Sequence, residues 1–302
     1  MNTLTLFSPS GVVPRAASLA LAARRLQALG FAVRTDEAAL ARRQRFAGDD
    51  ATRLQALHRV AREAPAVAMA TRGGYGLTPL LDTIDWPLLA RAAERGTNWA
   101  GHSDFTALQL ALWAHTGAAS WAAPMAVTDF GRPQREGGVD EVTADCFAEA
   151  MCGELEAVGF RTAAGFDGLL LKGPLWGGNL SMLCSLIGTR HFPRPARVRG
   201  GVLFIEDVNE HPYCVERMLL QLAQGGVLAS QRALLVGDLG GWTPSPLDRG
   251  YRVASMLQRV REHVRIPILT GLPFGHVPTK VTLPVGRRVT LAVQGRDVLI
   301  GW

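Results

Sequence analysis

Apolar residues along the first 125 positions follow two different periods. Short apolar runs bounded by turn residues predict buried strands, and apolar residues three and four positions apart predict helices. The predicted strands are Leu4–Phe7, Phe31–Arg34, Ala66–Ala70, Asn98–Ala100 and Ala119–Ala122. Helices are predicted over Ala17–Leu29, after a cap at Asp50, and after Asp104. This alternation is typical of a parallel sheet with helices on both faces.

The pattern changes between about residues 131 and 165. Gly131-Arg132-Pro133 and Gly137-Gly138 are turn signals, and a helix is predicted near Val142–Leu155. We interpret 131–165 as a linker between a first domain over 1–130 and a second domain over 166–302. The second domain has further strands and helices, and the alternating apolar residues of Val281–Leu299 predict strands of a mixed or antiparallel sheet.

Composition narrows the class of protein. The chain has 302 residues, 48% of them apolar, which is enough for two domains, or one large one, with a hydrophobic core. The net charge is +6, but the arginines are scattered among acids with no aromatic interleaving, so we expect no nucleic-acid partner. No run of about 18 apolar residues predicts a membrane span, and the absence of an export signal predicts a cytoplasmic location.

The four cysteines give no sign of a metal or redox site. Their spacings, at Cys146, Cys152, Cys184 and Cys214, match no zinc or redox motif. We expect reduced thiols and no bound metal or other cofactor.

A possible nucleophile lies in Gly101-His102-Ser103-Asp104, where a strand turns into a helix. A serine at such a turn projects its hydroxyl from the sheet edge, and the N–H of Asp104 is available to an oxyanion. An ordinary helix-capping serine explains the same pattern equally well. His102 should point away from Ser103, because successive strand residues face opposite sides.

Other polar residues also follow predicted strands. Glu206 and Asp207 end the apolar strand Gly201–Val208, and alternation allows only one of them to face a given side. The residues alone do not decide between the two acids. His276 follows a glycine- and proline-rich loop that would present it rigidly, although an exposed loop histidine fits as well.

The turn Arg72-Gly73-Gly74-Tyr75-Gly76 follows another first-domain strand. It matches neither a phosphate-binding loop nor a dinucleotide fingerprint. Its glycines would let a backbone N–H approach a substrate oxyanion, or they form a tight turn and nothing more.

Taken together, these motifs resemble the serine LD-carboxypeptidases, which include murein tetrapeptide carboxypeptidases and microcin-immunity peptidases. The matching stretches are Ser8–Gly11, Arg72–Gly76, Gly101–Asp104 with Thr106–Leu108, Gly177–Leu180, Phe204–Val208 with Pro212-Tyr213 and Arg217-Met218, and Gly275-His276 with Leu283–Gly286. One departure is His102, where the family has an aromatic residue.

The resemblance implies a fold and a set of roles. The family has an N-terminal Rossmann-like domain and a C-terminal swivelling-type α/β domain with a mixed sheet. By resemblance, Ser103 is the nucleophile, Glu206 the acid of the triad and His276 the base. The N–H groups of Gly74 and Asp104 would form the oxyanion hole. Arg72 is a candidate for binding the substrate carboxylate, although a surface salt bridge explains it equally well.

The resemblance also implies an activity, the hydrolysis of the bond to a C-terminal D-alanine of a murein tetrapeptide in peptidoglycan recycling. The expected partner is therefore a muropeptide or peptide substrate, and the expected assembly is a homodimer. A microcin-type amidase acting on aminoacyl-nucleotide conjugates would use the same triad. A non-catalytic ligand-binding α/β protein is the alternative from another class.

Overall fold

The structure is a computed structural model that describes residues 2–302. The helices are α1 (Ala16–Ala28), α2 (Asp50–Glu63), α3 (Trp86–Glu94), α4 (Phe105–Thr116), α5 (Glu141–Cys152), α6 (Leu180–Ser185), α7 (Pro195–Val198), α8 (Pro212–Gln224) and α9 (Val253–His263). The strands are β1 (Thr3–Phe7), β2 (Ala32–Thr35), β3 (Val67–Ala70), β4 (Asn98–Gly101), β5 (Ser120–Ala122), β6 (Ala157–Arg161), β7 (Leu170–Asn179), β8 (Val202–Glu206), β9 (Ala233–Val236), β10 (Ile268–Thr270), β11 (Leu283–Val285), β12 (Arg288–Gln294) and β13 (Asp297–Gly301). Residues 2–302 form two compact units.

The first unit runs to Glu156 and also contains Pro278–Gly286. Its sheet has the strand order β11-β5-β4-β3-β1-β2, in which β1 to β5 are parallel and β11 is antiparallel to β5. The predicted Rossmann-like parallel sheet is confirmed. Asp49, one residue before the predicted cap, caps α2 by accepting from Thr52 N at 2.9 Å.

The second unit comprises Ala157–Val277 and Arg287–Trp302. Its sheet has the order β10-β9-β8-β7-β12-β13-β6. Strands β7 to β10 are parallel, whereas β12 and β13 pair antiparallel with their neighbours. The predicted mixed sheet is therefore confirmed. The carboxyl ends of β8 and β9 lie on one edge, where α/β proteins usually form their sites.

Helix α4 is apolar on every side, and all residues from Phe105 to Trp113 are buried. A helix that is hydrophobic all round belongs to the interior of a domain. The start of α4, immediately after Ser103, is consequently held by packing along the length of the helix.

The predicted linker over 131–165 differs from the observed boundary. Helix α5 belongs to the first unit, because Phe147 packs against Phe31 and Phe130 with ring centroids 5.8 and 5.4 Å apart. Strand β6 belongs instead to the second sheet. The glycines at 131, 137 and 138 are turns within the first unit, not a domain boundary.

The second difference is the segment Pro278–Gly286, which we call the returning segment. The sequence places its alternating residues in the second domain, but Leu283–Val285 pair with Ser120–Ala122 of the first sheet. Lys280 N donates to Thr143 Oγ1 at 2.8 Å, and Thr282 N donates to Cys146 Sγ at 3.2 Å. Alternation identifies a strand but not the sheet that it joins.

A buried ion pair anchors the returning segment. Lys280 Nζ lies 2.5 Å from Asp129 Oδ1, and both side chains are 2% exposed. Burial alone would raise the pKa of Asp129, but the charge of Lys280 and the hydrogen bond from Met125 N outweigh it and the pKa is lowered. The pair joins the returning segment to the π-helical turn Ala126–Phe130.

Within residues 2–302, no helix combines the length and apolar character needed to cross a bilayer. The four cysteines of the chain are all free thiols in the structure.

The Lys280→Met variant should be clearly destabilised. Removing one partner of a buried pair costs about 3–5 kcal/mol, and Arg132, 3.6 Å from Asp129, would offset only part of that loss. Scanning calorimetry should therefore show a lower melting temperature. Adding Asp129→Leu should recover only part of the loss, because it removes the unpaired buried charge but leaves Met125 N without its acceptor. A Lys280→Met protein as stable as the parent would contradict the anchoring role.

Candidate active site

Ser103 occupies a strained turn between β4 and α4. Its φ is 63°, in the left-handed region that non-glycine residues rarely adopt. Such a conformation costs on the order of 1–3 kcal/mol and persists only where the surroundings enforce it. The enforcement comes from the buried helix α4 on one side and from a glycine-rich turn on the other.

The turn Arg72–Gly76 lies directly against Ser103. A Cβ on Gly73 would be 2.7 Å from Ser103 Cβ and 2.8 Å from Ser103 Oγ, so no larger residue fits there. Gly73 O also accepts a hydrogen bond from Gly11 N at 3.2 Å. Glycine at position 73 is therefore required by close approach to the serine.

The two predicted oxyanion donors lie in the same turn and helix start. The first helical bonds run from Phe105 N to His102 O and from Thr106 N to Ser103 O, at 3.2 and 2.9 Å. Within residues 2–302, the N–H groups of Asp104 and Gly74 have no hydrogen-bond acceptor. Both are thus available to an anion, and Gly74 adopts its φ of 82° because it has no side chain.

The side chain of Asp104 ties three loops together. Its Oδ2 accepts from Ser10 Oγ at 2.7 Å and from Leu77 N at 3.0 Å. Its Oδ1 is buried without a partner in the described structure. Burial raises the pKa of Asp104 to about 6, although the bonds from Ser10 and Leu77 act in the opposite direction.

His102 has a different environment. Its Nδ1 lies 2.9 Å from the carbonyl oxygen of Ala123, and the residue is 2% exposed. This contact agrees with the expectation of a structural histidine rather than a base for Ser103.

In the second unit, Glu206 and His276 form a pair. Glu206 ends β8, is fully buried, and its Oε2 lies 2.8 Å from His276 Nδ1. The His276 side chain is 25% exposed. A carboxylate on Nδ1 fixes the tautomer of the ring, so that Nε2 is the basic nitrogen.

Asp207 faces the other way, as strand alternation requires. Its Oδ2 accepts from Ser181 N at 2.8 Å and from Ser181 Oγ at 2.7 Å, at the start of α6. Its Oδ1 accepts from Val208 N at 2.9 Å. The structure therefore gives the two acids different contacts. Glu206 contacts His276, and Asp207 accepts hydrogen bonds at the start of α6.

Asn179 is a site residue that the sequence did not single out. Its Nδ2 donates to Glu206 Oε1 at 3.1 Å and to Asp207 Oδ1 at 3.2 Å. Asn179 ends β7, next to the end of β8, and its parallel register with Glu206 explains the contact. The available signal was the Gly177-Gly178-Asn179 sequence at a strand end.

The loop that carries His276 needs a glycine at position 275. Its φ is 138°, and a Cβ there would lie 3.0 Å from Asp238 Cβ and 3.2 Å from Glu206 Cβ. The backbone thus passes close to Glu206, which explains why the next residue reaches the carboxylate.

Arg72 lies over the glycine-rich turn. Its Nη1 donates to Val12 O at 3.1 Å, whereas its buried Nε has no partner among the described residues. Burial, and then the positive charge of Arg45, lowers the pKa of Arg72. The candidate site residues of the first unit, Ser103, Asp104, Gly74 and Arg72, are thus neighbours, as are Glu206 and His276 of the second unit.

No three His, Cys, Asp or Glu side chains within residues 2–302 come together as metal ligands would.

Comparison with known proteins gives matches in both units. Residues 4–123 match the LD-carboxypeptidase N-terminal domain, and residues 172–291 match the LD-carboxypeptidase C-terminal domain. The probable murein peptide carboxypeptidase of Bacillus subtilis is 30% identical over 284 residues, covering 91% of this chain and 84% of the relative.

Solved structures extend the likeness to the fold. The crystal structure of muramoyltetrapeptide carboxypeptidase from Oxalobacter formigenes is 37% identical, with a TM-score of 0.88 and 99% coverage of both chains. The microcin C7 self-immunity protein of Escherichia coli is more distant, at 22% identity over 264 residues, 77% of this chain and 72% of that protein. The chain therefore belongs to the LD-carboxypeptidase family and is an enzyme that acts as a carboxypeptidase.

Proposed function

We propose that this carboxypeptidase hydrolyses the bond to the C-terminal D-alanine of a murein tetrapeptide, with Ser103 as its nucleophile. The observation that carries the proposal is the 2.8 Å contact between the buried Glu206 carboxylate and His276 Nδ1. It supports a histidine held in the tautomer that a serine hydrolase needs. The name of the Oxalobacter formigenes relative supports the choice of substrate.

The proposed reaction begins with attack of Ser103 Oγ on the scissile carbonyl. His276 Nε2 takes the hydroxyl proton, and Glu206 stabilises the imidazolium that forms. The strained backbone at Ser103 holds Oγ clear of the helix, and Gly73 leaves space beside it.

The negative charge that develops on the carbonyl oxygen would be bound by the N–H groups of Gly74 and Asp104. Such donors are set before the reaction and stabilise the transition state more than the substrate. The Asp104 side chain contributes indirectly, because its bonds to Ser10 and Leu77 hold the surrounding loops in position.

The leaving amine of D-alanine then takes the proton from His276. A water molecule repeats the attack on the acyl-enzyme, with His276 again as base, and releases the shortened peptide. The proposed steps use the three side chains Ser103, His276 and Glu206, the two backbone N–H groups and one water molecule.

A cytoplasmic location and a homodimer remain predictions, as does the absence of nucleic-acid and membrane partners. Light scattering on a size-exclusion column would test the dimer directly.

The substrate can be tested by mass spectrometry. We expect a murein tetrapeptide ending in D-alanine to yield the tripeptide and free D-alanine. The same peptide ending in L-alanine should be cleaved much more slowly. Faster cleavage of an aminoacyl-nucleotide conjugate than of the tetrapeptide would instead support the microcin-type amidase.

The Ser103→Ala variant should lose about a million-fold in turnover, as removal of a catalytic serine does elsewhere, while the protein stays folded. Circular dichroism is the folding control. A serine-reactive fluorophosphonate should label the parent and not the variant. Near-normal turnover would refute the serine mechanism, and unlabelled but folded parent protein would count against Ser103 as an activated nucleophile.

The two acids should respond differently to amide substitution. Glu206→Gln should lower turnover about 10⁴-fold, because the neutral amide no longer fixes the tautomer of His276 or stabilises the imidazolium. Asp207→Asn should mainly reduce stability by about 1–3 kcal/mol, because an amide cannot accept all the bonds from Ser181 and Val208. Kinetics and urea unfolding of both variants separate the roles, and an inactive Asp207→Asn with a normal Glu206→Gln would reverse them.

A further inference from the structure

Two arginines of the first unit lie beside the glycine-rich turn without an acidic partner. The Arg72 guanidinium rests on glycines: its Nη2 is 3.4 Å from a Cβ placed on Gly74, and its Cζ is 3.6 Å from a Cβ placed on Gly11. Only Nη1 has an acceptor, Val12 O, within residues 2–302. A half-buried cation in this setting has lost water without gaining a counter-charge.

Arg45 is held next to Arg72 by the backbone. Val12 N donates to Arg45 O at 2.9 Å, and Val12 O accepts from Arg72, so a single residue bridges the two arginines. The preceding residue, Gln44, has a φ of 53°, and reciprocal bonds of 3.0 Å between Arg43 and Phe46 close the loop. The exposed Arg45 guanidinium lies 5.9 Å from the centre of the Tyr75 ring.

Two arginines that lie close to Arg45 in the sequence are paired with acids. Arg43 lies 3.5 Å from Asp49, and Arg53 lies 2.6 Å from Asp50. Across residues 2–302, neither Arg45 nor Arg72 makes an ion pair. The positive charge of Arg45 acts to lower the pKa of Asp104, but Asp104 accepts its hydrogen bonds from Ser10 and Leu77.

The position of this cationic pair suits one group of the substrate. In a C-terminal residue, the carboxylate carbon is three bonds from the scissile carbonyl carbon, a span of roughly 4 Å. Gly74 supplies a proposed oxyanion N–H, and Arg72 lies over that same residue. An arginine beside the oxyanion turn is therefore within reach of the terminal carboxylate, which it binds through a planar fork of donors.

We propose that Arg45 and Arg72 together bind the terminal carboxylate of the peptide substrate. The sequence offered Arg72 alone, and the structure adds Arg45 through the bridge at Val12. This assignment rests on the proposed carboxypeptidase reaction and predicts faster cleavage of a peptide with a free chain end than of a blocked one. Arg72 makes the buried contact, and Arg45 adds charge at the exposed side.

The test compares a tetrapeptide that has a free terminal D-alanine with the same peptide ending in D-alanine amide. Parent protein, Arg72→Met, Arg45→Met and the control Arg43→Met are assayed on both. Charge-assisted hydrogen bonds contribute enough to predict a loss of ~10- to 100-fold in kcat/KM on the free acid for Arg72→Met. Arg45→Met should lose several-fold on the free acid. Cleavage of the amide should fall less than cleavage of the free acid in both variants, and Arg43→Met should match the parent on both peptides.

Arg72→Lys tests whether the planar arrangement of donors matters, because lysine keeps the positive charge but lacks the forked guanidinium. It should fall between the parent and Arg72→Met on the free acid. Circular dichroism is the control for folding in every variant, and Arg45 is exposed enough for its variant to fold.

The outcomes separate this site from the reaction itself. Equal losses on acid and amide would assign Arg72 a structural role and overturn its part of the site. An Arg45→Met protein that matches the parent on the free acid would overturn the part of Arg45. A parent protein that cleaves neither peptide would contradict the proposed function, whereas unchanged preference for the free acid in both variants overturns the carboxylate site alone.

Discussion

The first unit's candidate site depends on one buried carboxylate, that of Asp104. It accepts hydrogen bonds from the loop after β1, through Ser10, and from the loop after β3, through Leu77, while its own backbone starts helix α4. Three loops that follow three neighbouring strands are thereby joined at one point. The strained Ser103 and the close approach of Gly73 are both consequences of that junction, because a looser arrangement would let the serine relax to an ordinary backbone conformation.

The second unit has two consecutive buried carboxylates, which must each find hydrogen-bond donors. Glu206 and Asp207 end one strand and point in opposite directions, so one reaches His276 and the other stabilises the start of α6. Asn179 Nδ2 donates to both carboxylates and thereby bridges the two acids. Buried carboxylates are tolerated here because their oxygens meet donors on both sides. The same strand end thus serves both the site and the stability of the domain.

Much of this organisation could be predicted from the sequence because its signals are local. The strand-to-helix turn at Ser103 and the glycine loop before His276 are readable from a few adjacent residues. The choice between Glu206 and Asp207 needed the resemblance, since alternation says that they diverge but not which one meets a histidine 70 positions away. Arg45 and the destination of Leu283–Val285 depend on contacts between distant segments. No local pattern encodes which sheet an isolated three-residue strand will join.

The returning segment has a consequence for how the protein is made. Strand β11 is synthesised about 160 residues after β5, the strand that it covers. At ~5–20 residues per second on the ribosome, the N-terminal sheet waits roughly 8 to 32 seconds for its last strand. During that time the edge of β5 is unpaired, and Lys280, the buried partner of Asp129, has not yet been made. The nascent first unit therefore has to persist unfinished, or shielded by chaperones, until nearly the whole chain has been translated.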